Sequence, residues 1–189
     1  MVRKDWFDAG YKLTDDPSYK ELCEIQTWLK DSDLDQLEFA SQVVDSFPYE
    51  RDSCHGSPWI VHAVSSGSLK SVKWMVEKGV NIQPIDTDGY PPVISCIDVE
   101  GKEKYQILRV LINAGADIDE RGINGWTPLH MAAVRDDEKS MRILLEAGAD
   151  RTITTKIDDD VTAEEEARNL GHQKSADFIA SFIPTRSGH

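Results

Sequence analysis

The sequence has few cysteines, no long apolar run and too few basic residues to balance its acidic ones. Its 189 residues include only Cys23, Cys54 and Cys96, an odd number at irregular spacing and without a C-x-x-C pair. This pattern argues against a disulfide framework or a cysteine zinc site, and it favours reduced thiols. No apolar stretch approaches 18 residues, and the first ten residues, MVRKDWFDAG, lack the apolar core of a signal peptide. We therefore expect a cytoplasmic protein without a membrane segment or a cleaved leader.

The charge is strongly negative. Lys and Arg total 21 against 34 Asp and Glu, which gives a net charge of −13. The excess lies in residues 1–56 and 157–189, while the middle of the chain is nearly neutral. Such a surface repels nucleic acids and anionic lipids and steers basic proteins toward it. Nucleic-acid binding would require one stripe formed by Lys70, Lys73, Lys78, Lys102 and Lys104. We expect a basic protein partner, no nucleic acid and no membrane.

Sequence motifs of catalysis are also missing. The chain has no Walker A, G-x-G-x-x-G, G-x-S-x-G or H-E-x-x-H pattern. The run Asp158–Asp160 lacks the alternating ligands and the glycine of a calcium loop, so we interpret it as an acidic turn tip. His62 could contact a partner, but a lone histidine is not a metal or catalytic site. We predict no enzymatic activity, no cofactor and no metal.

What the chain does contain is an internal repeat. Gly56, Gly89, Gly125 and Asp160 occupy equivalent positions at intervals of 33, 36 and 35 residues. The later halves KWMVEKGVNI, RVLINAGADI and RILLEAGADR align without gaps. In each, a glycine follows directly on a helical pattern, where a left-handed helix cap favours glycine. The sequence therefore predicts a series of stacked helical units.

The third unit carries the most specific residues. Thr127–His130 reads T-P-L-H; Ala132 and Ala133 follow as a small pair, then Leu144 and Leu145, then Gly148–Asp150. This unit resembles the ankyrin repeat. The resemblance implies an all-α solenoid of about four helix-turn-helix repeats, in which Thr127 caps the first helix and Pro128 opens it. It also implies that His130 is structural and bonds the backbone of a neighbouring turn.

The resemblance covers residues 53–183, with several departures from the family pattern. Pro58-Trp59 and Pro91-Pro92 replace the usual Thr-Pro, and Asp136-Asp137 replaces the usual Gly-His. Three extra residues lie within 99–104, VEGKEK. Because the apolar periodicity survives in every unit, we expect the fold to tolerate these changes.

We predict the following domain organisation. Residues 1–52 form an N-terminal helical cap or a degenerate repeat, with one helix starting at Asp16-Pro17 and a second capped by Ser32 or Asp33. The remaining segments are repeats at 53–85, 86–121 (with the insertion) and 122–156, a C-terminal capping repeat at 157–183 and a tail at 184–189.

The resemblance implies that a partner binds the concave face made by the turn tips and the first helices. Tyr90 and Trp126 share the slot after the turn glycine, and they are either interface hot spots or structural cover over their own turns. Met131 either extends an apolar centre or lies at the edge of the core. The predicted partner-binding residues are Tyr90, Trp126, Asp88, Asp98, Asn124, Met131, Arg135, Asp158 and Asp159.

The predicted function is a non-enzymatic binding module, a monomer or one part of a hetero-complex. By analogy with small ankyrin proteins that act as immunity factors, it would inhibit or neutralise a basic partner such as a toxin. The alternative is an adaptor or regulatory subunit that bridges two proteins. The adaptor would need a second apolar patch, which the N-terminal region could supply around Trp6, Phe7 and Trp28.

Overall fold

The structure, a computed structural model, describes residues 16–156 and 160–183. Within these ranges the chain forms ten α-helices and one short 3-10 helix, Ile123–Gly125. The helices are α1 Pro17–Asp31, α2 Leu34–Val43, α3 Trp59–Ser65, α4 Leu69–Glu77, α5 Pro92–Asp98, α6 Lys104–Asn113, α7 Pro128–Val134, α8 Glu138–Glu146, α9 Ala163–Asn169 and α10 Gln173–Ser181. None of these helices is both long and apolar enough to cross a lipid bilayer.

The helices stack in two layers. The first helices of successive pairs, α3, α5, α7 and α9, contact one another in order, and so do the second helices α4, α6, α8 and α10. Alanines lie fully buried where the layers meet, among them Ala63, Ala132, Ala133 and Ala167. Their small side chains allow the close helix approach that stacking requires. The predicted all-α solenoid is confirmed, with one helix pair in each of the four ranges predicted as repeats.

Polar side chains cap the starts of the repeat helices, and left-handed glycines follow their ends. Asp137 caps α8 by accepting a hydrogen bond from Ser140 N–H, and Thr162 caps α9 by accepting one from Glu165 N–H. At the helix ends, Gly79, Gly115 and Gly148 have φ of 75°, 92° and 98°. These left-handed values confirm the predicted glycine caps, since residues with a Cβ rarely adopt them.

The first described helix pair packs on the repeats. Asp16 caps α1 and Asp33 caps α2, while Ser32 takes a left-handed conformation at the end of α1. Helix α1 packs on both α2 and α3. The Ser71 hydroxyl donates to the carbonyl of Leu29 at 2.6 Å, which ties α4 to α1. This pair therefore extends the solenoid in the N-terminal direction, as a cap or degenerate repeat would.

The departures from the ankyrin pattern are accommodated by local substitutes. Asp136 stands in place of the usual glycine before α8 and has φ of 52°, like Gly67 in the earlier repeat, whose φ is 72°. Asp is among the few residues with a side chain that tolerate this region. The side chain of Ser175 donates to Asp136 at 2.5 Å, so the substituted residue also joins α10 to the preceding turn.

Candidate protein-binding surface

The turn tips of adjacent repeats are joined by backbone hydrogen bonds. Ile123 N–H donates to the carbonyl of Gly89 at 2.7 Å, and Lys156 N–H donates to the carbonyl of Asn124 at 2.8 Å. Gly125 allows this approach, because a Cβ at its position would lie 2.9 Å from the Lys156 nitrogen. The three tips therefore form a ladder whose order is fixed by main-chain atoms.

A buried aspartate organises the first turn. One Asp52 oxygen accepts hydrogen bonds from the N–H groups of Cys54 and His55, and the other from Ser57 N–H and the His62 ring. Burial acts to raise the pKa of Asp52, but the hydrogen bonds from His55 N–H, His62 and Ser57 N–H, together with the charge on His62, outweigh it and hold the pKa below its usual range. Asp52 is therefore a charged anchor of the turn.

His62, which the sequence suggested as a possible partner contact, is placed inside this turn structure. Its Nε2 lies 2.9 Å from Asp52 and its Nδ1 lies 3.1 Å from the Gln26 side chain of α1. Its side chain is only 12% exposed. Both of its ring nitrogens are engaged within the protein, so the structure explains His62 as part of the first turn, and a contact with a partner stays a prediction.

His130 joins the third turn to the last repeat. The N–H of Thr127 donates to His130 Nδ1 at 3.3 Å, and Nε2 lies 3.2 Å from the carbonyl of Val161. The ring is buried, and this burial lowers the pKa of His130. With Nδ1 as acceptor and Nε2 as donor, the neutral ring satisfies both contacts, as the resemblance implied.

Tyr90 and Trp126 are partly buried rather than fully exposed. Both rings pack against the hydrophobic core. The Tyr90 ring also lies beside the next turn, since its Cδ1 is 3.0 Å from the position a Cβ on Gly122 would take. The Tyr90 ring thus covers the next turn, while the Trp126 ring packs on the core, and only the remaining surface of each ring is available to a partner.

The predicted groove residues divide between core and surface. Met131 is 5% exposed and belongs to the core, so its prediction as a contact residue is wrong. Helix α7, which carries Met131, is packed between α5 and α9, and these neighbours cover it. Asp88 and Asn124 are exposed at the turn tips. Asn124 has φ of 61°, so its identity also suits the backbone conformation of the tip.

The acidic edge is partly neutralised from within. Asp98, at the end of α5, forms an ion pair with Arg135 at the end of α7. Both residues were predicted separately as partner-binding residues. Because they form an ion pair with each other, Asp98 attracts a basic partner less strongly than a free carboxylate would. Asp158 and Asp159 lie outside the described residues, while Asp160 is exposed with φ of 50°.

Two exposed apolar side chains occupy a turn position and a first-helix position but are not among the predicted partner-binding residues. Ile123, at the tip of the third turn, is 47% exposed, and Leu170, at the end of α9, is 50% exposed. Ile123 stands directly before the Asn-Gly pair of its turn, and an apolar residue at a turn tip is a signal that could have marked it.

Comparison with known proteins decides the family. A family model described as "Ankyrin repeats (3 copies)" matches residues 60–155 and, in a second alignment, 99–181. The chain belongs to the ankyrin repeat family. Ankyrin repeats are protein–protein interaction modules, so binding another protein is the general role of this chain.

Curated ankyrin relatives are larger proteins. The chain is 31% identical to the putative E3 ubiquitin-protein ligase XBAT34 of Arabidopsis thaliana over 66% of this chain and 33% of the relative. It is 32% identical to ankyrin repeat and SOCS box protein 3 of Bos taurus over 49% of this chain and 18% of the relative. It is 38% identical to protein phosphatase 1 regulatory subunit 12A of Mus musculus over 28% of this chain and 5% of the relative. The chain thus spans a third or less of these three proteins.

An open cleft lies between two of the ankyrin repeats, away from the turn tips. Its volume is about 520 Å³, and it lies where the loops after α5 and α7 meet. Its charged side chains include two ion pairs, one between Asp98 and Arg135 and one between Lys104 and Asp137.

The described residues near this cleft offer no reactive thiol. Burial raises the pKa of the Cys96 thiol to about 12, which makes it a poor nucleophile. In the ranges 16–156 and 160–183, no cluster of three or more His, Cys, Asp or Glu side chains is suited to hold a metal ion.

Two of the lysines considered for nucleic-acid binding are engaged in ion pairs. Lys78 Nζ lies 2.7 Å from Glu38, and Lys104 Nζ lies 2.8 Å from Asp137. Lys78 also sits over the ring of Trp74, with its Nζ 5.3 Å from the ring centroid. Because their charges are neutralised locally, these two residues add little to a basic stripe.

Proposed function

We propose that this chain binds a basic protein through its turn tips and acts by occupying that protein's surface, without catalysing a reaction. In this proposal the partner is inhibited or neutralised, as a toxin is by an immunity factor. The general part, binding another protein, follows from family membership. The basic character of the partner and the inhibitory outcome are our inference.

The observation that carries the proposal is the ladder of turn tips. Main-chain hydrogen bonds from Ile123 to Gly89 and from Lys156 to Asn124 hold the tips in fixed order. Asp88, Ile123 and Asn124 are exposed on this ladder. A surface that is already ordered loses little conformational entropy when it binds, which favours a protein contact at this position.

The charge of the chain supports a basic partner. The net charge is −13, and exposed Asp88 and Asp160 stand at two of the turn tips. Opposite charges on two proteins raise the rate of encounter and fix the orientation of the complex. Ile123 is an exposed apolar side chain between the acidic tips. It would lose its contact with water on binding and would supply the apolar centre of the interface.

The compartment is part of the same proposal. Cys23, Cys54 and Cys96 are all free. Free thiols fit a reducing environment, and we place the protein in the cytoplasm.

The first test identifies the partner by affinity capture and mass spectrometry, and it then measures binding by calorimetry with purified components. We expect Asp88→Lys, which reverses a charge at a turn tip, to weaken binding at least tenfold. The matched control is Glu146→Lys, which makes the same charge change at an exposed position of α8, a second-layer helix.

Three results would contradict the proposal. One is equal weakening by Asp88→Lys and Glu146→Lys, which would leave only a general charge effect. Another is a captured partner with an acidic contact surface. A third is full activity of the partner in the presence of saturating ankyrin protein, which would contradict the proposal that binding inhibits the partner.

A further inference from the structure

A second apolar surface lies at the N-terminal end of the solenoid. Helices α1 and α2 form a groove of about 320 Å³ lined by Ile25 and Trp28 of the first helix and by Phe39 and Val43 of the second. Phe39 is 56% exposed and Val43 is 58% exposed. Two neighbouring apolar side chains of this size stand open to solvent at a helix–helix groove.

The groove lies where a helical stack ends. Its lining residues follow helical spacing on both helices, with Glu21, Ile25 and Trp28 on α1 and Phe39 and Val43 on α2. In the described part of the chain, α1 packs on α2 and α3, and α2 packs on α1. An end unit of a solenoid exposes the apolar face that an inner unit buries against its neighbour, and it needs cover.

We propose that the segment 1–15 of this chain covers the groove, with Trp6 and Phe7 as the side chains that fill it. The segment leads directly into Pro17, which itself lines the groove. From Pro17 to Trp28 the helix rises roughly 17 Å, while ten residues of extended chain span about 33 Å. Trp6 can therefore reach every point along the groove.

The composition of the segment matches the groove. Trp6 and Phe7 are adjacent and are followed by Tyr11 and Leu13, so the segment carries large apolar side chains. Burying two aromatic rings against exposed Phe39 and Val43 would remove apolar surface on both sides from water. A covalently attached segment also has a high effective concentration, which favours it over a separate partner.

Charge adds to this match. Arg3 and Lys4 precede Trp6 by three and two positions, with Asp5 between, and Glu21 and Glu24 line the groove together with Lys20. With Trp6 in the groove, Arg3 and Lys4 come within reach of the two glutamates, with which they can form ion pairs. In this proposal, the apolar patch that an adaptor would use for a second partner is covered by the N-terminal segment of the same chain.

The test uses the full chain in dilute solution and nuclear Overhauser contacts in NMR spectra. We expect cross-peaks between the ring protons of Trp6 or Phe7 and the methyl protons of Val43, unchanged in intensity per molecule on dilution. In the double variant W6A/F7A, the Val43 methyl shifts should move toward random-coil values, and amide exchange in α2 should rise about tenfold. Thr14→Ala is the matched control, because it alters the segment without removing an aromatic ring.

The cross-peaks are measured on the unmodified chain, so the proposal does not depend on the folding of a variant. Absence of these cross-peaks, together with Val43 shifts that do not change in W6A/F7A, would overturn it. Cross-peaks seen only between differently labelled copies would assign the groove to a second molecule and would also overturn it. None of these results depends on the turn tips, so the proposed function stands or fails separately.

Discussion

His130 shows how one side chain connects two repeats. Its Nδ1 accepts from Thr127 N–H within the first turn of α7, while Nε2 reaches the carbonyl of Val161 in the last repeat. The contact with Thr127 N–H requires the neutral ring, because a proton on Nδ1 would remove the acceptor, whereas Nε2–H can donate to Val161 in either charge state. Burial of the ring disfavours its charged form, and this links the protonation of His130 to the stability of the fold.

We predict that this link makes the protein less stable in mild acid. The pKa of His130 is lowered by burial from its usual 6.5. The unfolded chain therefore binds a proton before the folded one does, and stability is lost as the pH falls from about 6.5 through the folded-state pKa. Urea unfolding at pH 7.5 and pH 5.5 checks this, since His130→Gln should lose that part of the pH dependence. An identical pH dependence in both proteins would contradict it.

A second residue-scale prediction concerns Asp119, whose carboxylate accepts the N–H of Asp150 at 3.0 Å. Burial raises the pKa of Asp119, and the charges of Asp150 and Asp117 raise it further. Asp119→Asn keeps an acceptor oxygen and removes the charge, so it should stabilise the protein at pH 7 by about 0.5 kcal/mol, a size that allows for solvent screening. The gain should shrink as the pH falls and the wild-type carboxyl becomes protonated.

Thermal melts of both proteins at pH 7 and pH 4.5 measure this difference. Asp117→Asn, at an exposed neighbouring position, is the control and should change the melting temperature less. A melting temperature lowered at pH 7 by Asp119→Asn would contradict the prediction.

Residues whose role depends on local backbone conformation could be predicted from the sequence, and residues whose role depends on neighbours could not. Gly79 follows its helix at the cap position, and the left-handed conformation there is a local property. Met131 is buried because α5 and α9 cover its helix, and the Asp98–Arg135 pair forms because α5 and α7 are adjacent. The spacing of residues in the sequence predicts which of them lie on a helix. It does not predict how much of each side chain the next repeat buries.

At the scale of elements, an ion pair that the sequence did not reveal joins two successive repeats. Lys104, the first residue of α6, reaches Asp137, the N-cap of α8, at 2.8 Å. Both side chains are largely buried, with 14% and 8% exposure. Burial acts to raise the pKa of Asp137, but the hydrogen bonds from Lys104 and Ser140 and the charge of Lys104 together outweigh it and lower the pKa. The pair thus ties the second repeat to the third.

We predict that breaking this pair from one side is costly. Lys104→Met leaves the Asp137 carboxylate buried without its cation, and it should lower the free energy of unfolding by about 3 kcal/mol. The double variant Lys104→Met with Asp137→Ser removes both charges and keeps a capping oxygen, so it should recover to within about 1 kcal/mol of wild type. Equilibrium unfolding in urea measures both. A double variant no more stable than the single one would contradict the prediction.

At the scale of the whole molecule, the fold follows from repetition. Four successive units with the same apolar periodicity can bury their faces only by stacking, and the two helix layers are the result. The fold class and the positions of the helix pairs were therefore accessible from the sequence. The sequence suggested an apolar patch near Trp28, but it did not reveal the groove, because the groove depends on how Phe39 and Val43 of a second helix are placed beside Trp28.

The charge of the whole molecule predicts the salt dependence of binding. If a net charge of −13 steers a basic partner, the association rate constant should fall about tenfold between ~0.05 M and ~0.5 M NaCl, while the dissociation rate changes less. Stopped-flow association with the captured partner measures this. Glu146→Lys serves as the reference for a simple change of net charge, and an association rate that does not vary with salt would contradict steering.

The hydrogen bonds that join the turn tips have a consequence for re-engineering this protein. Because Gly89 and Asn124 contribute carbonyl oxygens and Ile123 and Lys156 contribute amides, the ladder imposes few demands on tip side chains. A combinatorial library that varies Thr87, Asp88 and Ile123 would change the displayed chemistry and leave every rung of the ladder in place. Selection from such a library could redirect the scaffold to new targets, while Gly122 and Gly125 would have to stay fixed.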